Sequence, residues 1–138
     1  MSGNFALDTN IAVYAFSEDA RCEVALGLLS AGPMLSIQLL NEFTNVSLRK
    51  RKIAWAEISE SLDIIRQFAS SLRTMTLPVH TLGVEISQRH SLSFYDSLML
   101  AAALLDGCET FYREDMQNGL VIDGRLTITN PFLAQPEP

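Results

Sequence analysis

The sequence predicts an α/β domain built on a mostly parallel sheet with helices on both faces. Short apolar runs alternate with longer segments of helical period, so successive strands need crossover connections rather than hairpins. The 138 residues, 48% of them hydrophobic and 19% charged, suffice for one core and are too apolar for disorder. No repeat, low-complexity tract or Pro/Gly/Ser-rich linker interrupts Phe5 to Phe132, so residues 1–132 are read as a single domain and 133–138 as a tail expected to fray.

Phe5-Ala6-Leu7 is the first expected strand, followed by helices from about Ile11 to Ser30 and a second strand at Met34-Leu35-Ser36-Ile37. A helix around Leu39 to Arg51 and another around Trp55 to Ser70 come next. A strand at Leu72 to Leu77 then leads to Pro78, which suits the first turn of a helix over Val79 to His90. Phe94 to Leu105 forms the last helix, apolar on every face over Leu98 to Leu105 and hence expected to be buried. Strands at Glu109 to Tyr112 and Leu126 to Thr129 complete the pattern, with Asp123-Gly124 read as a tight two-residue hairpin turn.

Several function classes lack their residues. The apolar run Leu98 to Leu105 is too short to span a membrane, and the opening Met1-Ser2-Gly3-Asn4 lacks the basic start of a signal peptide. Two cysteines, Cys22 and Cys108, cannot make a disulfide framework, so a reduced cytoplasmic protein is expected. Only His80 and His90 are present, without CxxC or HExxH spacing, which leaves zinc without recognisable ligands. GxSxG, GxxxxGK[ST] and GxGxxG are absent as well. Ten Lys and Arg against sixteen Asp and Glu give a net charge of −6, so contact with nucleic acid requires a local basic patch or metal ions.

Carboxylates remain, and four of them stand at places that call for explanation. Asp8 ends the first strand, at the sheet edge where ligands bind in open parallel sheets, although it also reads as a helix cap. Glu42 shares a helix face with Asn45 and Arg49, which by itself is an ordinary solvated face. Asp96 opens the buried helix, where Ser93 and Asp96 also match a capping pattern. Asp115 follows a strand, in a stretch that reads equally as a polar loop closed by the turn Asn118-Gly119. In a parallel sheet Asp8 and Asp115 emerge on one edge, and the helices carrying Glu42 and Asp96 can bring their acids over it. Clustered carboxylates repel unless a cation neutralises them, and oxygen donors of this kind suit Mg²⁺ or Mn²⁺, ions that serve phosphodiester hydrolysis.

At these residues the chain resembles the PIN-domain ribonucleases, in particular the VapC-type toxins of bacterial toxin–antitoxin pairs. The resemblance rests on Leu7-Asp8-Thr9-Asn10, on Glu42-Phe43-Thr44-Asn45 as Glu-x-x-Asn, on Asp96 before an Ala-rich helix, and on Arg113-Glu114-Asp115-Met116-Gln117-Asn118-Gly119 as the last acidic loop. It implies a three-layer α/β/α fold with a five-stranded sheet in order 3-2-1-4-5, and an Mg²⁺- or Mn²⁺-dependent endoribonuclease cutting structured RNA. It also implies a homodimer and a cognate antitoxin. By position, Asp8, Glu42, Asp96 and Asp115 would be the catalytic, metal-holding acids, with bound water as nucleophile. Thr9 and Asn10 would orient the groups around them, Asn45 would support Glu42, and Asn118 stands where many members carry an additional acid.

Arg113 departs from the family's usual Ser or Thr; it could contact substrate phosphate or pair with Glu114 and lower activity. Arg49-Lys50-Arg51-Lys52 concentrates four of the ten basic residues after the Glu42 helix. It reads as an RNA-phosphate contact or as a helix end complementing its dipole. Trp55, Ile58, Leu62, Ile65 and Ala69 form a stripe expected to be core, with the family analogy tilting it toward partial exposure for a dimer or antitoxin contact. The competing class is a non-catalytic binding or signalling module, either PIN-like or receiver-like with Asp8 as phosphate acceptor. The receiver version lacks its acidic pair and late lysine, and the PIN-like version would be marked by loss of one of the four acids, none of which is lost.

Overall fold

The computed structural model describes residues 4–114 and 117–133. Six strands and six helices run in the order β1 (Phe5–Leu7), α1 (Thr9–Ala15), α2 (Cys22–Ser30), β2 (Met34–Ser36), α3 (Ile37–Arg49), α4 (Trp55–Phe68), β3 (Ser71–Arg73), α5 (Leu77–His90), α6 (Phe94–Leu105), β4 (Thr110–Tyr112), β5 (Val121–Ile122) and β6 (Leu126–Thr129). The sheet order is β3-β2-β1-β4-β6-β5, with every pairing parallel except β5 on β6. This α/β/α arrangement is the expected one, with one strand more than expected. The five parallel strands follow the expected order, and the two-residue β5 adds an antiparallel edge.

The central strands are buried outright: all three residues of β1 and of β2 are inaccessible, as parallel strands covered on both faces must be. Every residue of α6 from Ser97 to Leu104 is buried, so this helix forms the middle of one layer, as its all-round apolar sequence implies. At Gly83 of α5 a Cβ would come within 2.8 Å of Leu98 Cδ2 and 3.5 Å of its Cα, so α5 and α6 cross closely there and a larger residue would have to displace the Leu98 side chain.

Side chains terminate the helices where the sequence changes period. Ser36, Thr76 and Ser93 accept from the backbone N–H of Leu39, Val79 and Asp96. The Thr76 cap shortens β3 to Ser71–Arg73, because α5 already begins at Leu77. Between α1 and α2, Asp19 Oδ1 accepts from the Arg21 N–H at 2.8 Å and turns the chain. Asp123 and Gly124 both lie at positive φ, as expected of a tight turn. The ladder resumes only at the pair Ile122↔Leu126, however, so three residues rather than two connect the strands.

On α4, Ile58 and Ile65 are buried, while Leu62 and Ala69 pack partly against the core. Trp55 stands 60% exposed at the amino end of the stripe. No helix among the described residues is long and apolar enough to cross a membrane.

Candidate functional site at the carboxyl edge of the sheet

Asp8 is the first residue past β1 and caps α1, accepting from the Thr9 N–H at 2.8 Å. The capping reading and the edge reading therefore describe the same residue. Its own N–H donates to the Tyr112 carbonyl at 2.9 Å, continuing the β1–β4 register that pairs Leu7 with Tyr112. That register places Arg113 alongside Asp8 at the end of the neighbouring strand. Thr9 is buried, and its hydroxyl donates to Glu42 Oε1 at 3.0 Å, tying α3 to the start of α1. Gln38, one turn before Glu42, donates to Glu42 Oε2 at 3.0 Å.

Asp96 lies in the first turn of α6 and accepts from Arg113 Nη2 at 2.9 Å. Asp8, Glu42 and Asp96, from three separate segments, thus meet around β1 and β4, and the fields of Asp96 and Glu42 both reach Asp8. Burial, then repulsion from Asp96, pushes the Asp8 carboxyl up to about 7, against the opposing pull of Arg113 and the Thr9 N–H. A cleft of about 580 Å³ opens at Glu42 and Asp96, with Gln38, Asn41, Asn45 and Tyr95 among its other lining residues.

The other expected residues fall in different places. Asp115 lies outside the described residues. Asn10 is exposed at the start of α1, and Asn45 lines the cleft without a hydrogen bond to Glu42 among the described residues. The support expected from Asn45 comes from Thr9 and Gln38 instead, and Gln38 was missed although it sits four residues before Glu42 on one helix. Asn118 is exposed and accepts from the Asn130 N–H at 2.7 Å, which makes it a brace of its own loop. Arg113 is 8% exposed and bonds to Asp96, so pairing with Glu114 is not what it does. Glu114 accepts from Tyr14 and Arg21. Burial opposes ionisation of Glu114, but these two bonds outweigh it and hold its carboxyl below the usual range.

Arg21 also lies over the Tyr14 ring, 4.2 Å from its centre, and pairs with Asp19. With Asn130 donating to the Glu114 carbonyl at 2.6 Å, this network fastens the segment after β4 to α1. Nothing in local sequence joins Tyr14 and Arg21 to Glu114, roughly a hundred residues away. In the basic run, Arg49, Lys50 and Lys52 are exposed at the end of α3. Arg51 is half-buried and donates to the Phe16 carbonyl at 2.9 Å.

The donor chemistry suits a hard divalent cation, since carboxylate oxygens are what Mg²⁺ and Mn²⁺ prefer. Among the described residues, no three acids close to coordinating distance. Thr9 and Gln38 hold both oxygens of Glu42, and Arg113 holds one of Asp96.

Solved structures with this architecture include a toxin–antitoxin complex from Klebsiella pneumoniae, at TM-score 0.71 and 18% identity over 94% of this chain and 98% of that one. Mycobacterium tuberculosis VapC20, a sarcin–ricin loop cleaving toxin, aligns at TM-score 0.68 and 20% identity over 82% and 91%. Rickettsia felis VapBC2 bound to a promoter DNA fragment aligns at TM-score 0.66 and 21% identity over 91% and 97%. No curated protein matches the chain by sequence. The PIN domain family matches residues 5–118, from β1 to the turn after β4 and thus across all four acids of the expected quartet. The chain therefore belongs to the PIN domain family.

Proposed function

We propose that this chain is a divalent-metal-dependent endoribonuclease that cuts structured RNA and serves as the VapC-type toxin of a toxin–antitoxin pair. The observation that carries this reading is the convergence of Asp8, Glu42 and Asp96 from three segments on the carboxyl edge of a parallel sheet, beside an open cleft. Its structural neighbours include a toxin that cleaves the sarcin–ricin loop and toxins in complex with antitoxins.

Asp8, Glu42 and Asp96, with Asp115, would hold Mg²⁺ or Mn²⁺. A bound ion lowers the pKa of water and stabilises the charge that develops on phosphate oxygens. Thr9 and Gln38 fix the Glu42 carboxylate through one hydrogen bond to each oxygen, so its direction is set before substrate arrives. Asp8, with its carboxyl at about 7, is poised between acid and carboxylate near neutral pH. Gln38, Asn41 and Asn45 offer uncharged donors and acceptors along the cleft, and Tyr95 presents an aromatic face at its rim. Arg49, Lys50 and Lys52 would meet substrate phosphate. Arg49 follows Glu42 by seven residues on α3, about 10 Å along the axis.

Exposed Trp55, Ile64 and Phe68 on α4 support a protein partner, read here as the antitoxin or a second copy of the chain. Free Cys22 and Cys108 fit a cytoplasmic location. A second reading, a PIN-like module retained only for binding, is favoured by one observation: a guanidinium already sits on Asp96.

Total cellular RNA incubated with the purified protein in Mg²⁺, in Mn²⁺ and in EDTA separates the two. The nuclease reading expects discrete fragments that disappear in EDTA. Intact RNA in both ions, with the protein folded, would overturn it in favour of the binding module.

A further inference from the structure

Arg113 is buried just past β4, with its backbone N–H held by the Thr129 carbonyl at 2.9 Å, one residue beyond the Leu7–Tyr112 pair just as Asp8 is on the other side. Water cannot neutralise a guanidinium in such a place, so the acids around it must do so. Among the described residues its one hydrogen bond to an acid is a single contact, from Nη2 to Asp96 Oδ2. Nε and Nη1 are buried and have no hydrogen-bond partner among the described residues. A two-bond fork between guanidinium and carboxylate would be hard to displace, whereas this one-point contact leaves most of the donor capacity unused.

Resting on the metal-dependent reading above, we propose that Arg113 is a built-in counter-ion of the acidic edge. Its guanidinium competes with a divalent cation for Asp96 and so raises the cation concentration at which the site assembles. The charge balance supports this: Asp96 bonds the buried cation and Asp8 lies within its field, with Glu42 acting on Asp8 in turn, and an arriving Mg²⁺ or Mn²⁺ makes that cation redundant. The incoming ion then meets a like charge at the carboxylate it needs. With Nε and Nη1 unpaired among the described residues, the Asp96 contact is the one side-chain hydrogen bond among them that Arg113 gives up when it is displaced.

The test is Mn²⁺ binding, followed by calorimetry and by the electron spin resonance of free Mn²⁺, to the wild-type chain, Arg113→Gln and Arg113→Lys, with thermal melting of each in EDTA. Removing one positive charge a few ångströms from the site should tighten Mn²⁺ about tenfold in Arg113→Gln. The same variant should melt lower in EDTA and recover when Mn²⁺ is added. Arg113→Lys, which keeps the charge, should stay near the wild-type affinity.

Equal finite affinities for the wild-type chain and Arg113→Gln would overturn the counter-ion role while leaving the metal reading in place. Absence of Mn²⁺ binding in every protein, all folded, would overturn both. If Arg113→Gln folds only in Mn²⁺, the ion is replacing the lost charge, as proposed. If it folds in neither condition, Arg113→Lys decides, and a shift of about tenfold in either direction there would overturn the proposal.

Discussion

Two clefts of similar size open at opposite ends of the same sheet. The one at the carboxyl edge measures about 580 Å³ and the one at the amino edge, beside the starts of β4 and β6, about 610 Å³. Each end of the sheet also holds a buried titratable side chain, Asp8 at the carboxyl edge and Cys108 at the amino edge, and for both burial is the largest influence. The outcomes differ. At the amino edge burial, with help from Asp106, pushes the Cys108 thiol up to about 12, leaving it neutral and weakly nucleophilic. At the carboxyl edge the same effect brings Asp8 to about 7, where a cation or a small rise in pH can ionise it. Cleft volume therefore does not distinguish a site from a recess here; the convergence of acids, with a threonine and a glutamine fixing one of them, does.

The largest expected effect is on catalysis. Asp8→Asn should lower RNA cleavage by about 100-fold or more, since it removes a donor for the ion. The same variant sharpens the comparison through stability. Asp8 titrates at about 7 when folded against 3.8 as its ordinary value, so the folded chain holds a proton that the unfolded chain releases. In EDTA, the Asp8 contribution to stability should be fully present below about pH 4 and fall by roughly 2–4 kcal/mol as pH rises to about 7 and just beyond. Asp8→Asn should remove that contribution and melt higher than the wild-type chain at pH 8. Urea unfolding at several pH values checks this, and a wild-type-minus-variant difference of the opposite sign would contradict the environment described for Asp8.

A smaller effect is expected at Thr9, whose hydroxyl holds Glu42. Thr9→Val should cost about tenfold in activity, with most of the loss in metal affinity. The smallest concerns the basic run. Replacing Arg49, Lys50 and Lys52 by Ser, while keeping Arg51 for its bond to Phe16, should weaken RNA binding a few-fold and flatten its dependence on salt. An unchanged salt slope would remove this segment from the substrate path.

Period and strand ends singled out Asp8 and Asp96, because each sits where one element gives way to the next, whereas Glu42 lies in the middle of α3 and on spacing alone reads as a solvated face. The all-apolar run of α6 foretold its burial, and positive φ at Asp123 and Gly124 follows from their turn chemistry. The strand count was less legible, since β5 has two residues and no alternation to read. Contacts across the chain were not legible at all. Arg113 looked like a partner of Glu114, but a buried side chain past the end of β4 meets the helix packed nearby, here Asp96 in the first turn of α6. Glu114 in turn found Tyr14 and Arg21, which adjoin it only because β1 and β4 pair. Gln38 lay within reach of helical spacing, yet an uncharged residue four positions from an acid carries little signal on its own.

The most direct test sets the two ends of the sheet side by side: RNA cleavage in Mn²⁺ by Asp96→Asn at the carboxyl edge and by Arg125→Gln at the amino edge, each compared with the wild-type chain. Cleavage lost in Asp96→Asn and retained within about twofold in Arg125→Gln is the predicted result, since only the first removes a donor from the acidic edge. Full activity in a folded Asp96→Asn, or loss confined to Arg125→Gln, would contradict the placement of the chemistry at the carboxyl edge.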